Sequence, residues 1–155
     1  MRIARIGTTK DRLGEGPIWD AETQRLFWID SLGGVVHRLD PVSGERQDFA
    51  VPAPIGSMAL CRSAGAILSL QDGFYRHDFT TGATTPLAPL GLGNPNVRLN
   101  DGKTDRQGRF LAGTMHLHRA EDEPVIGGLF RLNHDGTVTQ LVEDIATSNG
   151  PCFSP

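Results

Sequence analysis

Lysine is nearly absent from this 155-residue chain: of its 15 basic residues only Lys10 and Lys103 are lysines, and the formal net charge is −3. No block of positive charge can form a phosphate-binding face, which argues against nucleic acid as a partner. Cysteine is equally scarce. Cys61 and Cys152 lie far apart with no C-x-x-C pair, so neither a zinc site nor a disulfide framework is indicated, and both are expected to be small buried side chains. No apolar run approaches the roughly 20 residues of a membrane helix, and "MRIARIGTTKDR" lacks the apolar stretch of a secretory signal. The expectation is a cytoplasmic protein with no membrane partner. Helical periodicity is missing as well, because apolar residues nowhere recur at i, i+3, i+4, i+7 over a helix-long window. "GLGNPN" lacks the G-x-G-x-x-G spacing of a dinucleotide loop, and no G-x-S-x-G elbow offers a serine nucleophile.

Glycine and proline, in contrast, are plentiful at 19 and 10, and they punctuate short apolar runs. The chain is therefore predicted to be all-β. Candidate strands are "RLFWID", "VVHRLD", "ERQDFA", "SMALC", "AILSL", "FYRHDF", "ATTPL", "RFLAGT", "GLFRL" and "TVTQLV", with turn chemistry such as "DPVSG", "TTG", "RQG" and "NHDG" between them.

One pattern, a glycine, a short strand, a polar turn and a second strand, recurs in "EGPIWDAETQRLFWID", "IGSMALCRSAGAILSL", "DGKTDRQGRFLAGT" and the clipped "NGPCFSP". The marker glycines Gly16, Gly56, Gly102 and Gly150 follow at intervals of 40, 46 and 48 residues. Four strands per period of about 40 to 50 residues is the signature of a β-propeller. The predicted organisation is a single partial propeller domain over 1–155, with blades at about 13–53, 54–96 and 97–145 and the start of a fourth at 146–155. A ring of that size is incomplete, and its open blade faces invite self-association.

In a propeller the first strand of each blade lines the central channel. Glu15, Ile55, Asp101 and Asn149 precede the four marker glycines, with Asn100 and Arg98 just upstream in the third unit. Carboxylate and amide oxygens converging there would suit a hard divalent cation. Asn-Asp-Gly and Ser-Asn-Gly are also ordinary turn sequences, and spacing alone leaves both readings standing. His116 and His118 form an H-x-H pair but run into the acidic loop "AEDEP", which favours solvated loop residues. His37, His77 and His134 are expected in outer strands or turns without a partner, and Trp19 and Trp28 between blades.

The segments "LGEGPIWD", "LFWIDSLGGVVHRLDPVSG", "RLNDGKTDRQGRFLAGTM", "GGLFRL" and "SNGPCFSP" resemble the family of senescence marker protein-30, gluconolactonase and luciferin-regenerating enzyme. The resemblance runs from about Leu13 to the last residue. It implies a six-bladed propeller with one divalent metal ion (calcium, manganese, magnesium or zinc) in the channel and hydrolysis of a small-molecule sugar lactone. Carried over by motif, it makes Glu15 and Asn149 metal ligands and puts Arg98 and Asn100 on the substrate, with Asp101 in a supporting role. His118 stands where some members carry a substrate-contacting glutamate. The family's general-base aspartate belongs to a later blade, beyond Pro155, so no catalytic base is expected within this chain. A truncated, inactive fragment is one expectation, and a non-catalytic binding scaffold on the same fold is the rival.

Overall fold

The computed structural model describes residues 3–8 and 10–154, so Pro155, the last residue of the fourth unit, lies outside them. Twelve strands follow in chain order: β1 (Gly14–Asp20), β2 (Arg25–Asp30), β3 (Val35–Leu39), β4 (Arg46–Ala50), β5 (Ser57–Cys61), β6 (Gly65–Ser69), β7 (Gly73–Asp78), β8 (Thr84–Pro89), β9 (Val97–Thr104), β10 (Phe110–His116), β11 (Gly128–Leu132) and β12 (Val138–Glu143). No helix occurs among the described residues, and none could cross a membrane. The strands form three four-stranded antiparallel sheets, β1 to β4, β5 to β8 and β9 to β12, each in simple sequential order. These are propeller blades, and the first strand of each lies on the inner side, β5 against both β1 and β9.

Two cores hold the blades together. Phe27, Ile29 and Val36 of the first sheet meet Ile55, Met58, Ala66, Leu68 and Leu70, while Ala59, Phe74 and Ala88 of the second meet Leu99, Phe110, Ala112, Phe130 and Leu132. The middle sheet is thus covered on both faces. That explains why "SMALC" and "AILSL" are nearly continuous apolar runs without alternation.

Alternation in the first sheet places the tryptophans on the face turned away from the second sheet. Ile18, Phe27 and Ile29 turn toward the second sheet, so period two sends Trp19 and Trp28 to the opposite face. Trp19 is half exposed there, and Trp28 stacks on His37 while its indole N–H donates to Asp11 at 2.8 Å.

The histidines expected to lack partners have them. His37, on β3, sits between Asp48 (2.8 Å) and Asp11 (3.1 Å), His77 meets the Thr84 hydroxyl at 2.9 Å, and His134 reaches the Gln107 carbonyl at 2.8 Å. Sequence hid these pairings because each joins residues from different strands or turns. The thiols also differ from expectation: Cys152 is exposed beyond the last strand, and Cys61 is half buried at the end of β5, where burial raises its pKa against the nearby Arg76 charge.

Candidate functional site

A β-bulge organises the inner strand of the third sheet. In β9, Leu99 pairs with Thr114 and Gly102 with Ala112, which leaves Asn100 and Asp101 outside the regular ladder. The first sheet is interrupted in the same way between Glu15 and Ile18, where Gly16 adopts φ +58°. Bulges of this kind re-aim side chains, and both fall where the sequence placed its candidate residues. The marker glycines therefore do not share one backbone position. Gly16 lies inside a bulge, Gly102 follows one, Gly56 precedes β5 and Gly150 lies outside any strand.

Freed from the ladder, the Asn100 carbonyl is taken by two buried hydroxyls of the middle sheet, Ser57 at 2.9 Å and Ser69 at 3.2 Å. The same approach requires glycine at position 56, where a Cβ would stand 2.6 Å from the Asn100 carbonyl oxygen. Neither serine was singled out by sequence reasoning. Their signal is two small polar residues in otherwise apolar, doubly covered strands.

Arg98 is buried, with Nη1 donating to the Leu99 carbonyl at 2.8 Å and Nε without a hydrogen-bond partner. Burial lowers its pKa, and the nearby Glu15 carboxylate opposes that by favouring the guanidinium charge. Glu15 is half buried on β1 and accepts no hydrogen bond among the described residues. Its strand is set by Asp30, missed in the sequence, whose buried carboxylate accepts the Arg12, Leu13 and Gly33 amides at 3.0, 3.0 and 2.9 Å. An aspartate closing the apolar strand "LFWID" was the available clue.

The fourth unit contributes no strand among the described residues, yet it is anchored. Ala146 accepts the His116 amide at 3.0 Å and Ser148 donates to the Thr114 carbonyl at 2.8 Å, extending β10 by one bridge. Asn100 Nδ2 then donates to the Ser148 carbonyl at 2.8 Å, and the Gly150 amide donates to Asp101 Oδ2 at 2.6 Å. Asn149, between them, is exposed, and its side chain forms no hydrogen bond among the described residues.

Arg98, Asn100, Asp101 and the Asn149 segment are thus brought together, and the Glu15 charge reaches Arg98. His118 is exposed in the loop after β10. His116 ends β10 half buried rather than lying in the loop, so the two histidines do not share a strand face. A groove of about 710 Å³ lies at the other end of the first two sheets between their hairpin turns, and none of the expected site residues lines it.

For a hard divalent cation, Glu15 and Asn149 fit in kind: each carries a side-chain oxygen that no protein donor occupies among the described residues. They fall short in number. Calcium takes about six to eight oxygens, and no group of three or more His, Cys, Asp or Glu suited to a metal occurs among the described residues.

The family described as SMP-30/Gluconolactonase/LRE-like region matches residues 13–155. Regucalcin of Xenopus laevis is 38% identical over 152 residues, covering 97% of this chain and 51% of the relative. The 6-deoxy-6-sulfogluconolactonase of Pseudomonas putida is 36% identical over 143 residues, covering 92% and 48%. Among solved structures, the calcium-binding protein regucalcin of Agrobacterium tumefaciens superposes with a TM-score of 0.82 at 31% identity, over 95% of this chain and 48% of that one. The chain spans about half the length of the relatives it matches.

Proposed function

The chain belongs to the SMP-30/gluconolactonase/LRE-like family, and we propose that its inner strands form the cation-holding and substrate-holding side of a sugar-lactone hydrolase site. The observation that carries this reading is the pairing by charge of Arg98, buried on β9 with an unpartnered Nε, with Glu15 of β1, whose carboxylate accepts no hydrogen bond among the described residues. A buried guanidinium with a spare donor is costly to keep unless something accepts from it.

In this reading Glu15 and Asn149 hold a divalent cation, with calcium, manganese, magnesium and zinc as the candidates. The bound ion would supply Lewis acidity and positive charge toward a lactone oxygen. The Arg98 charge, supported by Glu15, favours a lactone oxygen on which negative charge develops. Asn100, whose Nδ2 is committed to Ser148, offers Oδ1 to a substrate hydroxyl. Asp101 supports this constellation, and His118 is a further candidate for substrate contact from the loop. None of these residues is assigned as proton acceptor for an attacking water. Relatives named as lactonases, including the putative sugar lactone lactonase YvrE of Bacillus subtilis, support the substrate class.

The test is manganese binding by calorimetry together with lactone hydrolysis in a pH-stat, with and without chelator, for the 155-residue chain and Glu15→Ala. Loss of about tenfold or more in manganese affinity is expected in the variant. Unchanged affinity would overturn the cation reading and favour a non-catalytic binding scaffold.

A further inference from the structure

We propose that Asp101 is a positioning residue for Asn149, acting with the side-chain amide of Asn100 as a two-point clamp; this rests on the reading of Asn149 as a cation ligand. Each point of the clamp grips one of the two peptide groups that flank Asn149. Asn100 Nδ2 donates to the carbonyl preceding it, on Ser148, at 2.8 Å, and Asp101 Oδ2 accepts the amide following it, on Gly150, at 2.6 Å. With both flanking peptides fixed, the Asn149 backbone has little freedom left, although no strand ladder holds it.

Asp101 is itself immobilised for this task. Its Oδ1 accepts the Gly102 amide at 2.9 Å, so the carboxylate is tied to its own strand by one oxygen and spans to the fourth unit with the other. Bonds from amides to an ionised carboxylate are about twice as strong as neutral ones. The bulge makes the reach possible, since Asn100 and Asp101 are the two residues of β9 released from pairing with β10. Gly150, at φ +63°, adopts a left-handed backbone that turns the chain away directly after the clamp.

The approach from the other side is equally specific. Ser148 lies over Gly113, where a Cβ would come within 2.1 Å of the serine Oγ, and its amide is held by the Thr114 carbonyl. The bridge to β10 therefore delivers the segment, and Asn100 and Asp101 orient its tip. The Asn149 side chain is exposed and forms no hydrogen bond among the described residues, so its oxygen is presented outward.

The experiment compares the 155-residue chain with Asp101→Ala, Asp101→Asn and Asn149→Ala, using hydrogen exchange at the Gly150 amide without metal and manganese affinity by calorimetry. Asp101→Ala is expected to lose Gly150 protection while the β9 and β10 amides keep theirs, and to bind manganese about 10- to 100-fold more weakly. Asp101→Asn, which retains one acceptor oxygen, is expected to restore part of both. Gly150 protection that survives Asp101→Ala overturns the clamp. Manganese affinity lost in Asn149→Ala but kept in Asp101→Ala overturns the positioning role alone. Affinity unaffected by Asn149→Ala, or no manganese binding by the unaltered chain, removes the cation reading and this role with it.

Discussion

The hydroxyls of Ser57 and Ser69 lie 2.7 Å apart between neighbouring strands, so that one donates to the other and the second donates to the Asn100 carbonyl, which both approach, at 2.9 and 3.2 Å. The middle blade thereby completes the hydrogen bonding of the third at the residue that begins the candidate site. Either serine alone can keep that carbonyl satisfied. Ser57→Ala and Ser69→Ala are each expected to cost about 1 kcal/mol, and the double variant, which leaves a buried carbonyl bare, about 3 kcal/mol. Strictly additive losses in urea denaturation would contradict this shared role.

Arg98 gives a prediction of opposite sign. Its burial and unpartnered Nε weigh against stability, so Arg98→Met is expected to leave the chain as stable as before or more so by about 1 kcal/mol. Substrate binding would be lost in the same variant. Thermal and chemical denaturation decide the matter, and a marked destabilisation would make Arg98 a structural residue.

Asp30 governs an acid-side effect. Burial works to raise its pKa, but the Arg12, Leu13 and Gly33 amides and the His37 charge outweigh that and lower it. The folded state therefore binds this proton less readily than the unfolded chain. The resulting stabilisation is full above the ordinary carboxylate pKa of about 4 and is lost as pH falls through the lowered folded value. Asp30→Asn should cost about 2 kcal/mol at neutral pH. Its stability should converge with that of the unaltered chain in acid, and parallel pH curves would refute the assignment.

His77 acts in a higher window. It occupies the position just before the turn residue that Leu39 and Leu132 hold in the other two sheets, fully buried, with Nε2 unpartnered and the rings of Phe49 and Phe79 against it. Burial lowers its pKa, against a smaller raising effect of Asp78. Stability is then full above the ordinary histidine pKa of about 6.5 and declines as pH falls below it. His77→Leu is expected to gain about 1 kcal/mol at neutral pH and to flatten that decline. Denaturation midpoints at a series of pH values test both parts, and an unchanged slope would sink the second.

The strands were legible because alternation and turn residues are local properties. "GLFRL" coincides with β11 and "RLFWID" with β2. Gly16, Gly56 and Gly102 each fall in or just before the first strand of a sheet even though the marker glycines serve different ends, Gly16 and Gly150 by left-handed backbone and Gly56 by close approach to the Asn100 carbonyl. Partnerships between residues distant in the chain left no such trace. Asp30 with the Arg12 and Leu13 amides, His37 with Asp11, and Asp101 with the Gly150 amide each join residues 17 or more positions apart, and no local pattern encodes them. The bulges escaped for a related reason: Glu15 and Asp101 precede similar glycines, but the extra residues in the ladder give them different registers.

Within each sheet every strand pairs only with its neighbours in the chain. Most of the loops that close a blade are short, apart from residues 117–127 between β10 and β11, and each sheet can assemble as a succession of hairpins at low contact order. Joining the blades is the slower, longer-range event, because it must bring Gly56 against the backbone of Leu99 and Asn100 across more than 40 residues of chain. Such a chain folds as a series of coupled modules rather than from one central nucleus. Synthesised from its N-terminus, it would complete the first blade before the strand bearing Arg98 and Asn100 has emerged.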